Sequence, residues 1–143
     1  YRIAAWLHRN LPALQRDRIV THTDSSGRDA ALYQHMSSPD ATVLLTPSMT
    51  EGIDLADDLS RWQIICKIPY ANLGDAQVRA RMEQDPQWYD WRTCLSVVQA
   101  YGRSVRGHDD YAVTYLLNAD FPKFLRRQSG RLPEWFREAV EPD

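Results

Sequence analysis

The stretch Ala41-Thr42-Val43-Leu44-Leu45-Thr46 is nearly continuous in apolar and β-branched side chains, the pattern of a strand buried on both faces of a parallel sheet. Working outward, Arg28 to Met36 places Ala30, Ala31, Leu32 and Tyr33 in a helical register, closed by Ser37-Ser38-Pro39-Asp40. Before it, Arg18 to Thr23 is compact and β-branched, and Asp24-Ser25-Ser26-Gly27 ends that strand with turn chemistry and a helix N-cap. Ile3, Ala4, Leu7 and Leu11 recur at helical spacing and stop near Pro12, so the chain opens with a helix. On the carboxyl side, a second buried strand, Gln63 to Ile68, ends at Pro69, and the Asn72-Leu73-Gly74-Asp75 turn leads into a long helical region. Proline disfavours helix for the residue before it, so that region breaks near Asp85-Pro86 and resumes through Trp91, Leu95, Val98 and Tyr101. Tyr111 to Leu117 reads as the last strand, with closing helices at Phe121 to Gln128 and Pro133 to Val140. Strands alternating with helices require crossovers, which predicts an α/β fold of three layers, α/β/α, around a mainly parallel sheet.

Composition narrows the function classes. A chain of 143 residues with 43% hydrophobic content suits one compact domain. Seventeen basic against 19 acidic residues give a formal charge of −2, so no global field announces nucleic acid or membrane, and any polyanion site must be local. Cys66 and Cys94 lie far apart with no C-x-x-C spacing or histidine cluster, which argues against zinc or an iron–sulfur cluster held by this chain and reads as two buried thiols. No apolar run approaches the roughly 20 residues that cross a bilayer, and no charged-then-apolar leader is expected ahead of the domain. The expectation is a soluble, cytoplasmic protein that is a monomer as an isolated domain. Because the chain begins at Tyr1 without a methionine, it is also expected to be a piece of something longer.

Two constellations carry chemistry. Thr46, Ser48 and Thr50 place hydroxyls beyond the carboxyl end of the strand at 42–46, where ligands sit in open α/β sheets, and Gly52 lets backbone approach a ligand closely. Hydroxyls and backbone N–H groups contact a phosphodiester without reading its base, although a Thr/Ser-rich turn followed by glycine is also ordinary capping chemistry. The second constellation is Gln99-Ala100-Tyr101-Gly102-Arg103-Ser104-Val105-Arg106. At helical pitch one stripe would carry Gln99, Arg103 and Arg106, and arginine donates paired hydrogen bonds to phosphate while staying charged. The bland alternative is a solvated helix end, with Gly107 as its C-cap and Asp109 and Asp110 pairing the arginines.

In order and spacing, Thr50-Glu51-Gly52-Ile53-Asp54-Leu55 and Gln99 to Arg106 resemble motifs V and VI of superfamily 2 helicases, closely those of the XPD/DinG-type branch of DNA helicases. Gly107-His108-Asp109-Asp110-Tyr111, the strand Ile64 to Tyr70 and the segment Arg126 to Phe136 are similar to that branch as well, so the resemblance spans nearly the whole chain. It implies the second, C-terminal RecA-like domain of a two-domain ATPase that translocates on single-stranded DNA and unwinds duplex. By position, Arg103 and Arg106 match the family arginines that reach ATP phosphates across the cleft, with Arg106 as the arginine finger, and Gln99 matches the glutamine that senses the γ-phosphate. Gly52 and Asp54 match positions bordering ATP. Thr46, Ser48, Thr50 and Glu51 fall where the family contacts nucleic acid. The implied partners are the first RecA-like domain of the same protein and single-stranded DNA, with no membrane.

The departures from the family pattern define what is missing. The chain has no G-x-x-x-x-G-K-[ST] loop and no D-E-x-H box, so ATP with magnesium would be held mainly by the first domain. The chain alone is therefore expected to be inactive. The family's iron–sulfur cysteines, where they occur, belong to that first domain, so a cluster would sit elsewhere in the parent. The strand that begins the family domain is expected ahead of Tyr1. Trp88, Tyr89 and Trp91 offer either base stacking or core packing. The rival class is a degenerate RecA-like module that binds protein or nucleic acid without turnover, and the intact Gln99, Arg103, Arg106 set speaks against it.

Overall fold

The computed structural model describes residues 2–47, 53, 55, 57–105 and 109–141. Two compact units make up the chain, Tyr1–Met49 and Thr50–Asp143.

The first unit contains α1 (Arg2–Asn10), α2 (Ala13–Arg16), β1 (Ile19–Thr21), α3 (Arg28–Ser37) and β2 (Val43–Leu45). Helix α1 stops where expected, because Pro12 adopts an extended ψ of 152° and its ring cannot continue a helix. The single turn α2 that follows has no periodic signal in the sequence. Strands β1 and β2 pair in parallel, Ile19 opposite Val43 and Thr21 opposite Leu45, with α3 as the crossover that parallel pairing demands. The N-cap expected within Asp24-Ser25-Ser26-Gly27 falls on Gly27, which supplies no side-chain bond. Instead Asp24 Oδ1 accepts from the backbone N–H groups of Ser26 at 2.9 Å and Gly27 at 3.2 Å, closing the turn ahead of the helix. The Ser26 hydroxyl, followed by those two N–H groups, holds the Asp24 carboxyl below the ordinary carboxylate range.

The second unit runs through a 3-10 turn (Asp57–Leu59), β3 (Trp62–Ile65), α4 (Ala76–Gln84), α5 (Pro86–Tyr101), β4 (Val113–Leu116), α6 (Phe121–Arg127) and α7 (Glu134–Glu138). Again the strands are parallel, Trp62 opposite Val113 and Ile65 opposite Leu116. The break between α4 and α5 falls where Pro86 predicts it. Asp85 serves both helices: its backbone N–H closes α4 on Arg81 O at 2.8 Å, and its carboxylate accepts from the N–H groups of Gln87 and Trp88 at the start of α5. Asp75 caps α4 in the same way through Gln77 and Val78.

The core of this unit comprises Ile68, Cys94, Val97, Phe121, Phe124, Leu132 and Phe136, with Leu116 packed against it. Tyr101 meets Phe136 edge to face at 5.3 Å between centroids, a preferred aromatic geometry. Burial corrects the expectation for both central strands. All three residues of β2 are half-buried, and β3 alternates, leaving Trp62 and Ile64 about half exposed while Gln63 and Ile65 turn inward. The core reaches the sheet through Leu116, on one face of the β3–β4 pair, so Val113 and Tyr115 on the other face stay exposed. Cys66 is exposed, contrary to the two buried thiols expected, whereas Cys94 is buried and its burial pushes the thiol up. Among the described residues no helix is long and apolar enough to cross a membrane, and no group of three or more His, Cys, Asp and Glu side chains is placed to hold a metal ion.

Candidate nucleotide-facing and nucleic-acid-facing site

Helix α5 positions the glutamine of the second constellation. It starts on the Asp85 cap with Pro86 in its first turn, where the missing proline N–H costs nothing. It ends when Gly102 N–H bonds to Val98 O at 3.0 Å. Gln99 is therefore on the last turn and exposed, and Arg103 lies beyond the helix. This overturns the single helical stripe expected for Gln99, Arg103 and Arg106, and it moves the C-cap from Gly107 to Gly102. The backbone leaves the helix because tertiary partners take over: the Arg103 Nη1 donates to Ile53 O at 3.1 Å, and Ser104 is buried to 1%.

The Arg103 bond ties the residue beyond α5 to Ile53, in the stretch Thr50 to Leu55. Ile53 and Leu55 are both buried, so the carbonyl that Arg103 reaches belongs to a buried residue. A second tie comes from Gln63 on β3, whose amide nitrogen donates to Tyr101 O and to Thr114 Oγ1, each at 2.8 Å. One side chain thereby fixes the carboxyl end of α5 to both strands of the sheet. Gln63 was not singled out in the sequence, although an amide inside an apolar strand is the available signal, since a buried amide needs partners. Ser48, Thr50, Glu51, Gly52, Asp54 and Arg106 lie outside the described residues.

Thr46 belongs to the first unit, just past β2. Its hydroxyl lies 2.9 Å from Nε2 of His22, which is 6% exposed, while Nδ1 of the same ring is 2.7 Å from Asp24 O. A carbonyl only accepts, so Nδ1 carries a proton and donates to Asp24 O. Thr21 adds a hydroxyl bond to Leu45 O at 2.9 Å. The carboxyl ends of β1 and β2 thus hold an ordered polar set, Thr21, His22 and Thr46. No local pattern marks His22, because its partner is 24 residues away. An open cleft of about 500 Å³ in this unit, lined by Arg18, Ala41 and Thr42 among others, sits at the opposite, amino ends of the strands.

Of the aromatic cluster, Trp88 and Tyr89 make ring contacts within the second unit. Trp88 lies under the Arg81 guanidinium at 4.5 Å, Tyr89 stacks on Tyr70 at 6.2 Å and donates to Ala71 O, and Trp91 is half exposed. Arg127 pairs with Asp90 at 3.3 Å, and Arg131 donates to Gln128 Oε1 at 3.0 Å.

Parallel strand pairs joined through helices, with polar residues at the strand ends and an arginine beyond α5 tied to the preceding loop, define a RecA-like α/β domain. The model for the helicase C-terminal domain family matches residues 1–139. The chain belongs to that family, in its XPD/DinG-type branch. Among its relatives, the chl-1 ATP-dependent DNA helicase of Caenorhabditis elegans is 32% identical over 101 residues, covering 65% of this chain and 12% of the relative. The regulator of telomere elongation helicase 1 homolog of Aedes aegypti is 28% identical over 124 residues, 74% of this chain and 12% of the relative. The general transcription and DNA repair factor IIH helicase subunit XPD of Dictyostelium discoideum is 26% identical over 102 residues, 66% and 13% respectively. The matched region spans about an eighth of each of these relatives.

Proposed function

We propose that this chain is the second motor domain of an ATP-dependent DNA helicase, supplying motif V through Thr50 to Leu55 and motif VI through Gln99 to Arg106 to a two-domain ATPase that moves on single-stranded DNA. The observation that carries the reading is the Arg103 to Ile53 bond, which joins the two motif segments in a chain of the helicase C-terminal family. The donor set fits a nucleotide's phosphates: Gln99 and Arg103 offer N–H donors. ATP with its magnesium supplies the transferable phosphoryl group, held chiefly by the first domain of the parent protein.

In that arrangement the residues of this chain do electrostatic work. Arg106, as the arginine finger, and Arg103 face charge spreading over the equatorial oxygens of the phosphoryl group, a contribution worth roughly 10³ to 10⁵ in rate in related phosphoryl-transfer systems. Gln99 orients the attacking water. Gly52 and Asp54 border the nucleotide, and Thr46, Ser48, Thr50 and Glu51 contact the DNA backbone, with His22 holding the Thr46 hydroxyl in place.

The test is Arg106→Ala in the full-length parent, with DNA-stimulated ATP turnover measured alongside the thermal melt. Turnover should fall by about 10³ or more while the melt is unchanged. Near-normal turnover in a folded variant would refute the finger assignment and favour a non-catalytic interaction module.

A further inference from the structure

The exit of α5 is held by bonds from outside the helix. Gly102, at φ −75° and ψ 13°, does not enter the left-handed conformation through which a helix commonly satisfies its own last carbonyls. The Tyr101 carbonyl is taken instead by Gln63, whose amide nitrogen uses one N–H there and the other on Thr114 Oγ1, each at 2.8 Å. Gln63 and Thr114 stand directly opposite in the β3–β4 ladder, so strand pairing aims the amide. Three residues past Tyr101, the buried Ser104 hydroxyl lies 2.5 Å from that of Ser60. Arg103 sits between these two fixed points, with its Nη1 on Ile53 O at 3.1 Å.

We propose that Gln63 is a positioning residue for Arg103, fixing the main chain where α5 ends so that the guanidinium keeps one place relative to the β3–β4 pair. The inference rests on the reading of Arg103 as a phosphate-directed arginine and adds the side chain that holds its backbone. Transition-state groups act only within a narrow range of distance and angle, and a side chain just past a helix end is precise only where a rigid element supports it. The paired strands are that element. Thr114 acts one step further out, by keeping the Gln63 amide turned toward the carbonyl. An apolar side chain of similar length at position 63 would fill the same space but leave the Tyr101 carbonyl without this donor.

The experiment uses the full-length protein with Gln63→Met and Thr114→Val, each alone and combined with Arg103→Ala, at enzyme concentrations high enough to read the residual rate. DNA-stimulated kcat, KM for ATP and the thermal melt are recorded. Gln63→Met should lower kcat about tenfold, short of the roughly hundredfold that a 1 Å misplacement can cost. KM for ATP should stay within about twofold, the pattern of an interaction felt chiefly in the transition state. Thr114→Val keeps the side-chain shape and removes only the hydroxyl; it should cost about threefold in kcat, and it carries the test if Gln63→Met does not fold. Because both act through Arg103, neither should cost more than about twofold further in the Arg103→Ala background. Losses that multiply in that background would overturn the proposal, as would a raised KM at unchanged kcat. Unchanged kcat in both folded single variants while Arg103→Ala is slow would overturn it too. Normal turnover in Arg103→Ala would remove the phosphate-directed reading of Arg103, and the positioning role with it, while Arg106→Ala decides the helicase assignment separately.

Discussion

Replacing Asp85 by alanine tests whether one side chain holds the α4–α5 joint. The substitution removes two bonds to the first turn of α5, those from Gln87 and Trp88 at 3.0 and 3.1 Å, but leaves the backbone bond that closes α4. Losing an N-cap of this kind costs about 1 kcal/mol. With an unfolding entropy near 2.1 cal/mol/K per residue, that loss lowers Tm by about 3 °C if all 143 residues unfold together, and by about 5 °C if the unit Thr50–Asp143 unfolds by itself. The size of the shift therefore reports on cooperativity as well as on the cap. Circular dichroism melts of wild type, Asp85→Ala and Asp85→Asn at equal concentration give the answer. Asparagine caps as well as aspartate, so Asp85→Asn should melt within about 1 °C of wild type. An unchanged Tm in Asp85→Ala would refute the cap, and an asparagine variant that falls as far as alanine would show that charge, rather than the two hydrogen bonds, is responsible.

The two cysteines should separate chemically: iodoacetamide at neutral pH should label Cys66 in the native chain and both thiols after denaturation, as mass spectrometry would show, since Cys66 is exposed and Cys94 buried. The raised Cys94 value also has a sign, because the unfolded thiol loses its proton first; stability is complete below the ordinary thiol range and should fall as pH rises above it, visible in melts at increasing pH. Gln128 is fully buried with no partner for its Nε2 among the described residues, so Gln128→Met should stabilise the chain by about 1 kcal/mol in urea unfolding despite losing the bond from Arg131.

Much of the architecture was legible because it is written in local chemistry. Pro12 and Pro86 mark helix boundaries through their fixed φ and missing N–H, Asp75 follows the turn that opens α4, and alternating strands and helices forced parallel pairing. The end of α5 was not legible. The arginine spacing past Gly102 suits a helix, but the long-range bond from Arg103 and the burial of Ser104 hold the backbone elsewhere, and a partner 50 residues away leaves no periodic trace. The apolar run of β3 misled for a related reason. Continuous apolar sequence fits a doubly covered strand, yet the core of this unit meets the sheet on one face, so Trp62 and Ile64 stay exposed. At the site, the roles proposed for Gln99 and Arg103 rest on residue types and order, through a family resemblance. Gln63 emerged only from the fold, since its contacts join segments distant in the chain.

The bond from Arg103 ends on the main-chain oxygen of Ile53, an atom every amino acid possesses. Position 53 can thus drift among buried aliphatic residues over evolutionary time without erasing the link, whereas position 103 has no such latitude, because the reach and the donor both come from its side chain. Sequence variation should accordingly be lopsided across this contact, tolerant at one end and strict at the other, so that covariation between the two positions would miss a pairing that the three-dimensional arrangement makes plain.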